Sequence, residues 1–292
     1  MKFAFALTLS LLASFASSQC WGEETKPAKA KAFEVKVTGK GPPMIFIPGL
    51  ACSSEVWDDA VKHFSPKYEC HVLTLAGFAG VKPVEGPFLD TMRDGIAAYI
   101  REKKLAKPVI VGHSIGGFLC YMLALAEPEL VGPLVPVDGM PCLAALMNPQ
   151  VTDKEAKQMA KRMLQQSATT REQYLKQQAA TLANWIEDKP LRERTAKWGA
   201  DSDQKTVGAA MADMIGRDLR SEVSKIKPRM LIVTAPVAFF NVTKEEARNR
   251  YETQVKAIPN GKVVYAEKSK HFVMYDEPEW LWKQIDEFLA SK

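Results

Sequence analysis

Residues Gly112-His113-Ser114-Ile115-Gly116-Gly117 set a serine at the bend between the apolar run Pro108-Val109-Ile110-Val111 and a second run, Phe118 to Ala126, that reads as a helix. A strand, a sharp turn and a helix in so few residues strain the backbone at the bend. The residues two before and two after the serine must then lack side chains, or strand and helix could not approach. Gly112 and Gly116 meet that requirement. The turn lifts the Ser114 hydroxyl clear of the sheet, and the N–H groups that open the helix face any negative charge developing beside it. A serine in such a nucleophile elbow is placed to attack a carbonyl. The other use of the pattern is a glycine-rich turn whose serine only caps the helix.

The surrounding sequence supplies a sheet for the elbow to stand on. Phe33 to Thr38 alternates as a half-exposed strand does, and Gly39 to Pro43 reads as the turn after it. Met44-Ile45-Phe46-Ile47 and Cys70 to Leu75 are continuous apolar runs of the kind buried on both faces of a parallel sheet. Helices are expected over Glu55 to Phe64 and Asp90 to Lys104, and a further strand at Leu134 to Val137, ending at Asp138-Gly139. Alternating strands and helices predict an α/β fold with a mostly parallel central sheet flanked by helices. From Pro149 to Lys225 the chain turns rich in Glu, Lys, Gln and Ala, and strands resume at Met230 to Val233 and Lys262 to Tyr265. The expected organisation is a core over 33–148 and 226–292, interrupted by an inserted helical cap over 149–225 at the carboxyl edge of the sheet. Trp185, Trp198, Met211 and Met214 stud the cap, either lining a substrate pocket or packing it onto the core.

The first residues read as an address. Lys2, an apolar run from Phe3 to Ala13 and small residues at Ser14, Ala16, Ser17 and Ser18 predict a signal peptide over 1–18, cleaved near Ala16 or Ser18. The run is too short to span a membrane comfortably. Export to the periplasm or medium follows, with a disordered lead-in over 19–32; Cys20 would allow lipoprotein anchoring, although Gln19 is bulky for that processing. The formal charge of +5 carries no dense basic tract, which argues against a nucleic-acid partner. Five cysteines permit disulfides without requiring them; Cys120 and Cys142 could meet, while Cys52 and Cys70 look poorly placed to do so. Their spacing resembles no metal site. Asn241-Val242-Thr243 is a glycosylation sequon, relevant only to a eukaryotic source.

A serine hydroxyl needs a base to accept its proton. Of the four histidines, His63 and His71 fall on a helix and at a strand start ahead of the elbow, and His113 diverges from its neighbour Ser114. His271 remains. It lies in the short loop after the last strand, at the sheet edge where the elbow opens. An oxyanion needs two donors, and the N–H of Ile115 is one; Pro48-Gly49-Leu50-Ala51, directly after a buried strand, can bring the Leu50 N–H beside it.

This set resembles the α/β-hydrolase superfamily. The likeness lies in Phe46-Ile47-Pro48-Gly49-Leu50 followed by Trp57, Gly77-Phe78-Ala79-Gly80, the elbow, and His271-Phe272 leading to Glu277-Pro278, and it covers nearly all of the chain from Phe33 onward. Two positions depart from the superfamily pattern. Ala76 stands where an acidic residue commonly opens the loop, and Thr234 to Asn241, where most relatives carry the acid of the triad, holds no carboxylate. Glu245 and Glu246 come next, but Thr243-Lys244-Glu245-Glu246 has the spacing of a capping box. Some members carry their acid after the strand that follows the elbow helix, which singles out Asp138; its other use would be to cap the turn with Gly139, and Asn241 would then assist a serine-histidine pair. The resemblance implies a serine hydrolase that cleaves an ester of a small-molecule acyl substrate, with Ser114, His271 and Asp138 catalytic, Leu50 and Ile115 forming the oxyanion hole, and no cofactor. Thioester, amide, lactone and carbon–carbon bonds stay open as substrates. A binding or receptor-like protein on the same fold is the alternative, motivated by the missing acid after the post-cap strand.

Overall fold

In the computed structural model the described residues are 31–166, 170–236 and 242–291. The expected signal peptide, Cys20, most of the lead-in and Asn241 lie outside them. Ala32, at the end of the expected lead-in, accepts a bond from the Ala76 N–H at 2.9 Å.

Strand β1 (Phe33–Thr38) leads to β2 (Pro43–Ile47), a short 3-10 turn (Ser54–Trp57), α1 (Asp58–Phe64), β3 (Glu69–Leu75), α2 (Phe88–Glu102), β4 (Val109–His113), α3 (Ile115–Ala126) and β5 (Leu134–Val137). The chain continues through α4 (Ala144–Met147), α5 (Asp153–Gln166), α6 (Arg171–Trp185), α7 (Lys189–Asp201) and α8 (Gln204–Ile215). It then returns as β6 (Met230–Thr234), α9 (Lys244–Val255), β7 (Gly261–Tyr265), α10 (Val273–Asp276) and α11 (Pro278–Ala290). The seven strands form one sheet in the order β1-β3-β2-β4-β5-β6-β7. Among the described residues, only β1 runs antiparallel to its neighbour, and every other pairing is parallel.

Alternation along the buried strands divides the core in two. Ile45, Ile47, Leu73 and Ile110 face one side with Met92 and Ile96 of α2 and Phe118 of α3. Met44, Phe46, Val72 and Val111 face the other, against Trp57, Phe64 of α1 and Leu281 and Ile285 of α11. Helix α3 is apolar all round because it is buried all round, as a helix wedged between a sheet and other helices must be.

Among the described residues, four longer helices, α5 to α8, follow the short α4 between β5 and β6. Polar side chains start all four: Thr152 with Glu155 and Thr170 with Gln173 through reciprocal bonds, Asp188 on the Leu191 N–H and Asp203 on the Thr206 N–H. The insertion is tied to the loop after β3 by main-chain bonds from Gly80 N to Asp201 O (3.1 Å) and from Asp203 N to Gly77 O (2.8 Å). Thus the four helices stand over the carboxyl ends of the strands.

The cysteines correct one expectation. Cys52, Cys70, Cys120 and Cys142 are all free and buried. Cys120 packs in the core cluster beside β4, with its Sγ 4.0 Å from the Ile110 carbonyl, whereas Cys142 lies in a separate cluster with Val151 and Ala156 under α5. Burial pushes the Cys52 thiol up to about 12 and that of Cys70 up to about 11, so neither is a ready nucleophile.

Candidate active site

Every residue from Pro108 to Ala124 is buried except Ser114. Its backbone has φ 55° and ψ −115°, a conformation that costs a residue with a side chain about 1–3 kcal/mol. The surrounding main chain imposes it. A Cβ on Gly112 would stand 2.1 Å from the Gly116 carbonyl oxygen, and one on Gly116 would stand 2.5 Å from that of Ile47. Both glycines are therefore required by close approach, as the motif implies. Ile115 opens α3, so its N–H has no carbonyl one turn back to bond. The Pro48–Ala51 turn passes beside the elbow: a Cβ on Gly49 would lie 3.5 Å from the Ser114 Cβ.

His271 sits in the loop between β7 and α10, with its ring almost wholly covered. Carboxylates of the following helices hold that loop. Glu277 accepts from the Lys268 N–H (2.9 Å) and the Ser269 hydroxyl (2.8 Å), and Asp276 accepts from the Lys270 N–H (2.7 Å). Burial raises the Asp276 carboxyl above its ordinary range, against the lowering effect of that N–H and of the Lys270 charge.

Asp138 follows β5 at φ 48°. Its Oδ2 lies 2.5 Å from His271 Nδ1, and its Oδ1 accepts from the Ala235 N–H at 3.0 Å and the Tyr251 hydroxyl at 3.1 Å. The carboxylate is fully buried and meets a donor on each side. Burial first, and then the Asp138 charge, pushes the Tyr251 hydroxyl well above its ordinary range, so it stays a donor.

His113 is buried beneath the same loop. Its Nε2–H donates to the carbonyl oxygen of His271 at 3.0 Å, and the two rings stand 4.6 Å apart. Burial, and secondarily the neighbouring His271, holds the His113 imidazole well below its ordinary range; it is neutral with its proton on Nε2. A Cβ on Gly49 would come within 2.7 Å of His113 Nδ1, so this ring links the elbow, the turn after β2 and the His271 loop. The other two histidines serve packing. His63 pairs with Asp286 at 2.7 Å on the surface, and His71 is buried between Tyr99 and Glu69.

Two cavities adjoin the site. A chamber of about 160 Å³ is lined by Ser114, Asp138 and His271 together with side chains such as Met140, Leu146 and Met214. A larger one of about 390 Å³ is lined by Leu50, Ala51 and Phe272 and by side chains of α6 and α8. Trp185 and Met211 belong to both, and the Trp185 ring stands 4.6 Å from that of His271. The structure thus brings Ser114, Asp138 and His271 to one chamber and Leu50 to the next. Sequence reasoning overlooked Tyr251 and the His113 bond. Nothing in the α9 sequence marks Tyr251, and the only signal for His113 was a titratable side chain in an otherwise apolar elbow.

A sequence model of the alpha/beta hydrolase family matches residues 44–284, and the chain belongs to that family. It is similar to the pimeloyl-[acyl-carrier protein] methyl ester esterase of Nitrosomonas europaea, 25% identical over 211 residues that span 69% of this chain and 79% of the relative. Similarity to the enzyme of the same description from Aeromonas hydrophila is 24% over 86% of this chain and 97% of that one. Among solved structures, the enol-lactonase of Burkholderia xenovorans superposes with a TM-score of 0.74 at 15% identity, covering 89% of this chain and 96% of its own, a likeness of fold alone.

Proposed function

We propose that this chain is an exported serine hydrolase that cleaves a carboxylic ester through an acyl-enzyme intermediate. The observation that carries the reading is that Ser114 alone breaks the buried run from Pro108 to Ala124 and lines one chamber with the Asp138–His271 pair. Methyl ester esterases among the relatives support the bond type. In this reading His271 takes the Ser114 proton as the hydroxyl attacks the carbonyl, and the Leu50 and Ile115 N–H groups stabilise the oxyanion. The proton then passes to the departing alcohol, and water repeats the sequence to free the acid. Asp138 fixes the imidazole tautomer with its proton on Nδ1 and stabilises the imidazolium. Its other contacts, from Ala235 and Tyr251, aim the carboxylate. The Asp138 carboxylate beside His271 Nδ1 supports an enzyme over a binding-only protein. Export is supported by Lys2 and the apolar run to Ala13.

A fluorophosphonate probe applied to cell fractions tests both parts. The expected result is a labelled band in the exported fraction that disappears in Ser114→Ala. Folded protein that takes no label would refute the hydrolase, and label confined to the cytoplasm would refute export alone.

A further inference from the structure

We infer that the substrate is an ester without charge at either end, with a small apolar alcohol beside His271 and a longer acyl group in the adjoining chamber. This rests on the serine-hydrolase reading above.

The two chambers differ in size, in chemistry and in which catalytic atoms they adjoin. The departing oxygen must receive its proton from the His271 imidazole, so the alcohol leaves on the side of the chamber that His271 lines. With the alcohol on that side and the oxyanion held by N–H groups, the acyl chain is left the adjoining chamber, which opens at Leu50 and Ala51 and shares Trp185 and Met211 with the first. The first chamber, about 160 Å³, is close to the size of a cavity known to admit benzene and suits an occupant of about six carbon atoms. The second, about 390 Å³, lies in the range of small-molecule sites.

Among the described residues, the small chamber is lined, apart from Ser114, Asp138 and His271, by Gly139 and by thioether, aliphatic and indole groups. The Asp138 oxygens already accept from His271, Ala235 and Tyr251, leaving little capacity for a ligand. The large chamber mixes apolar groups such as Leu182 and Val207 with neutral polar ones such as Gln177, Gln178 and Thr181. No Lys, Arg, Asp or Glu is among the described residues that line it. An anionic acyl group would therefore lose its hydration without gaining a partner, whereas an amide or hydroxyl on a neutral chain would find donors and acceptors. Methionines at 163 and 211 line the large chamber, and 140, 147, 211 and 214 the small one. Such flexible walls select by size more than by outline.

The test is a matrix of esters followed by titration of the released acid. Ethyl esters from acetate to dodecanoate vary the acyl side, and methyl to octyl esters of hexanoate vary the alcohol. The expected kcat/KM rises about tenfold or more from ethyl acetate to ethyl octanoate and falls about tenfold or more from butyl to octyl hexanoate. Monoethyl suberate, an anion of the same length as ethyl octanoate, is expected to be about thirtyfold or more poorer. Thr181→Trp should reduce the octanoate-to-acetate ratio, and Leu146→Trp the butyl-to-methyl ratio. A preference for long alcohols on short acyl groups, or for the anionic ester, would overturn the inference while leaving the hydrolase intact. Failure to cleave any ester, with wild type no better than Ser114→Ala, would instead refute the hydrolase reading.

Discussion

Around Ser114, main chain sets every position; around the chambers, side chains do. At the elbow the backbones of β2, β4 and α3 approach so closely that single hydrogens at Gly112 and Gly116 decide whether they fit. Ser114 and Asp138 both sit at positive φ, held there by bonds from Ser114 N to Val137 O (2.9 Å) and Asp138 N to Val233 O (2.8 Å). The insertion is built differently. Its helices join the core largely through side chains, with Val207 and Met214 packed into one core cluster, Leu182 and Trp198 into the other, and the Ser202 hydroxyl and Asp213 accepting from the Ala79 and Leu89 N–H groups, while many of its other side chains are exposed or half-buried. The contrast separates two tasks. Chemistry is tied to a scaffold that tolerates no added methyl, while the shape offered to a substrate rests on residues that can change without disturbing that scaffold.

The sharpest way to break this division is at Asp138. Asn in its place keeps the shape and can still accept a bond, but it removes the charge that favours the imidazolium in the proposed reaction and can present an amide N–H to Nδ1. The expected loss in kcat is about 10⁴-fold with little change in KM, as for other triads that lose this charge. Activity within a few-fold of wild type, in a normally folded Asp138→Asn, would show that another group orients His271.

A smaller effect, on stability, compares the two regions directly. In Gly112→Ala the added methyl meets the Gly116 carbonyl at 2.1 Å, and a chemical-denaturation curve should show a loss of about 1–3 kcal/mol or more. Gln177→Ala, at an exposed residue that lines the large chamber, should stay within about 0.5 kcal/mol of wild type. Equal losses would mean that the insertion is as tightly determined as the elbow.

The same contrast explains what could be read from the sequence. Buried parallel strands announce themselves, because β2, β3, β4 and β6 need apolar residues on both faces. The capping box at Thr243 and Glu246 was equally legible, since its two bonds are local. Helix α3 begins at Ile115, earlier than the apolar run from Phe118 predicts, because Gly116 and Gly117 belong to its first turn and reflect close packing rather than a break. Asp138 could be nominated because it ends a recognisable strand. Trp185, Met211 and Met214 could be named only as lining a pocket or packing the insertion, and the chambers they line decide for the pocket; Tyr251 could not be named, since it reaches the site through the way α9 docks, which a local pattern does not encode.

The weakest link between the two regions is electrostatic and gives the smallest effect. Arg217, just past α8, bonds Asp213 at 2.8 Å through Nε and pairs with both oxygens of Asp90 on α2, where Arg93 also donates. The Arg217 hydrogen bond, more than any other cause, holds the Asp90 carboxyl below its ordinary range. The unfolded chain therefore takes up that proton more readily than the folded one as acid is added. Stabilisation from this cause is fully present above the unfolded value near about 3.9 and is lost as pH falls through the lower folded value. The groups are partly solvated, so the contribution near neutrality is about 1 kcal/mol. Urea unfolding of wild type and Arg217→Gln should show that gap near neutral pH and a closing gap at a pH below about 3. A gap that persists in acid would assign the contribution to packing of the arginine stem, and the insertion would then be joined to the core by shape, as the elbow is.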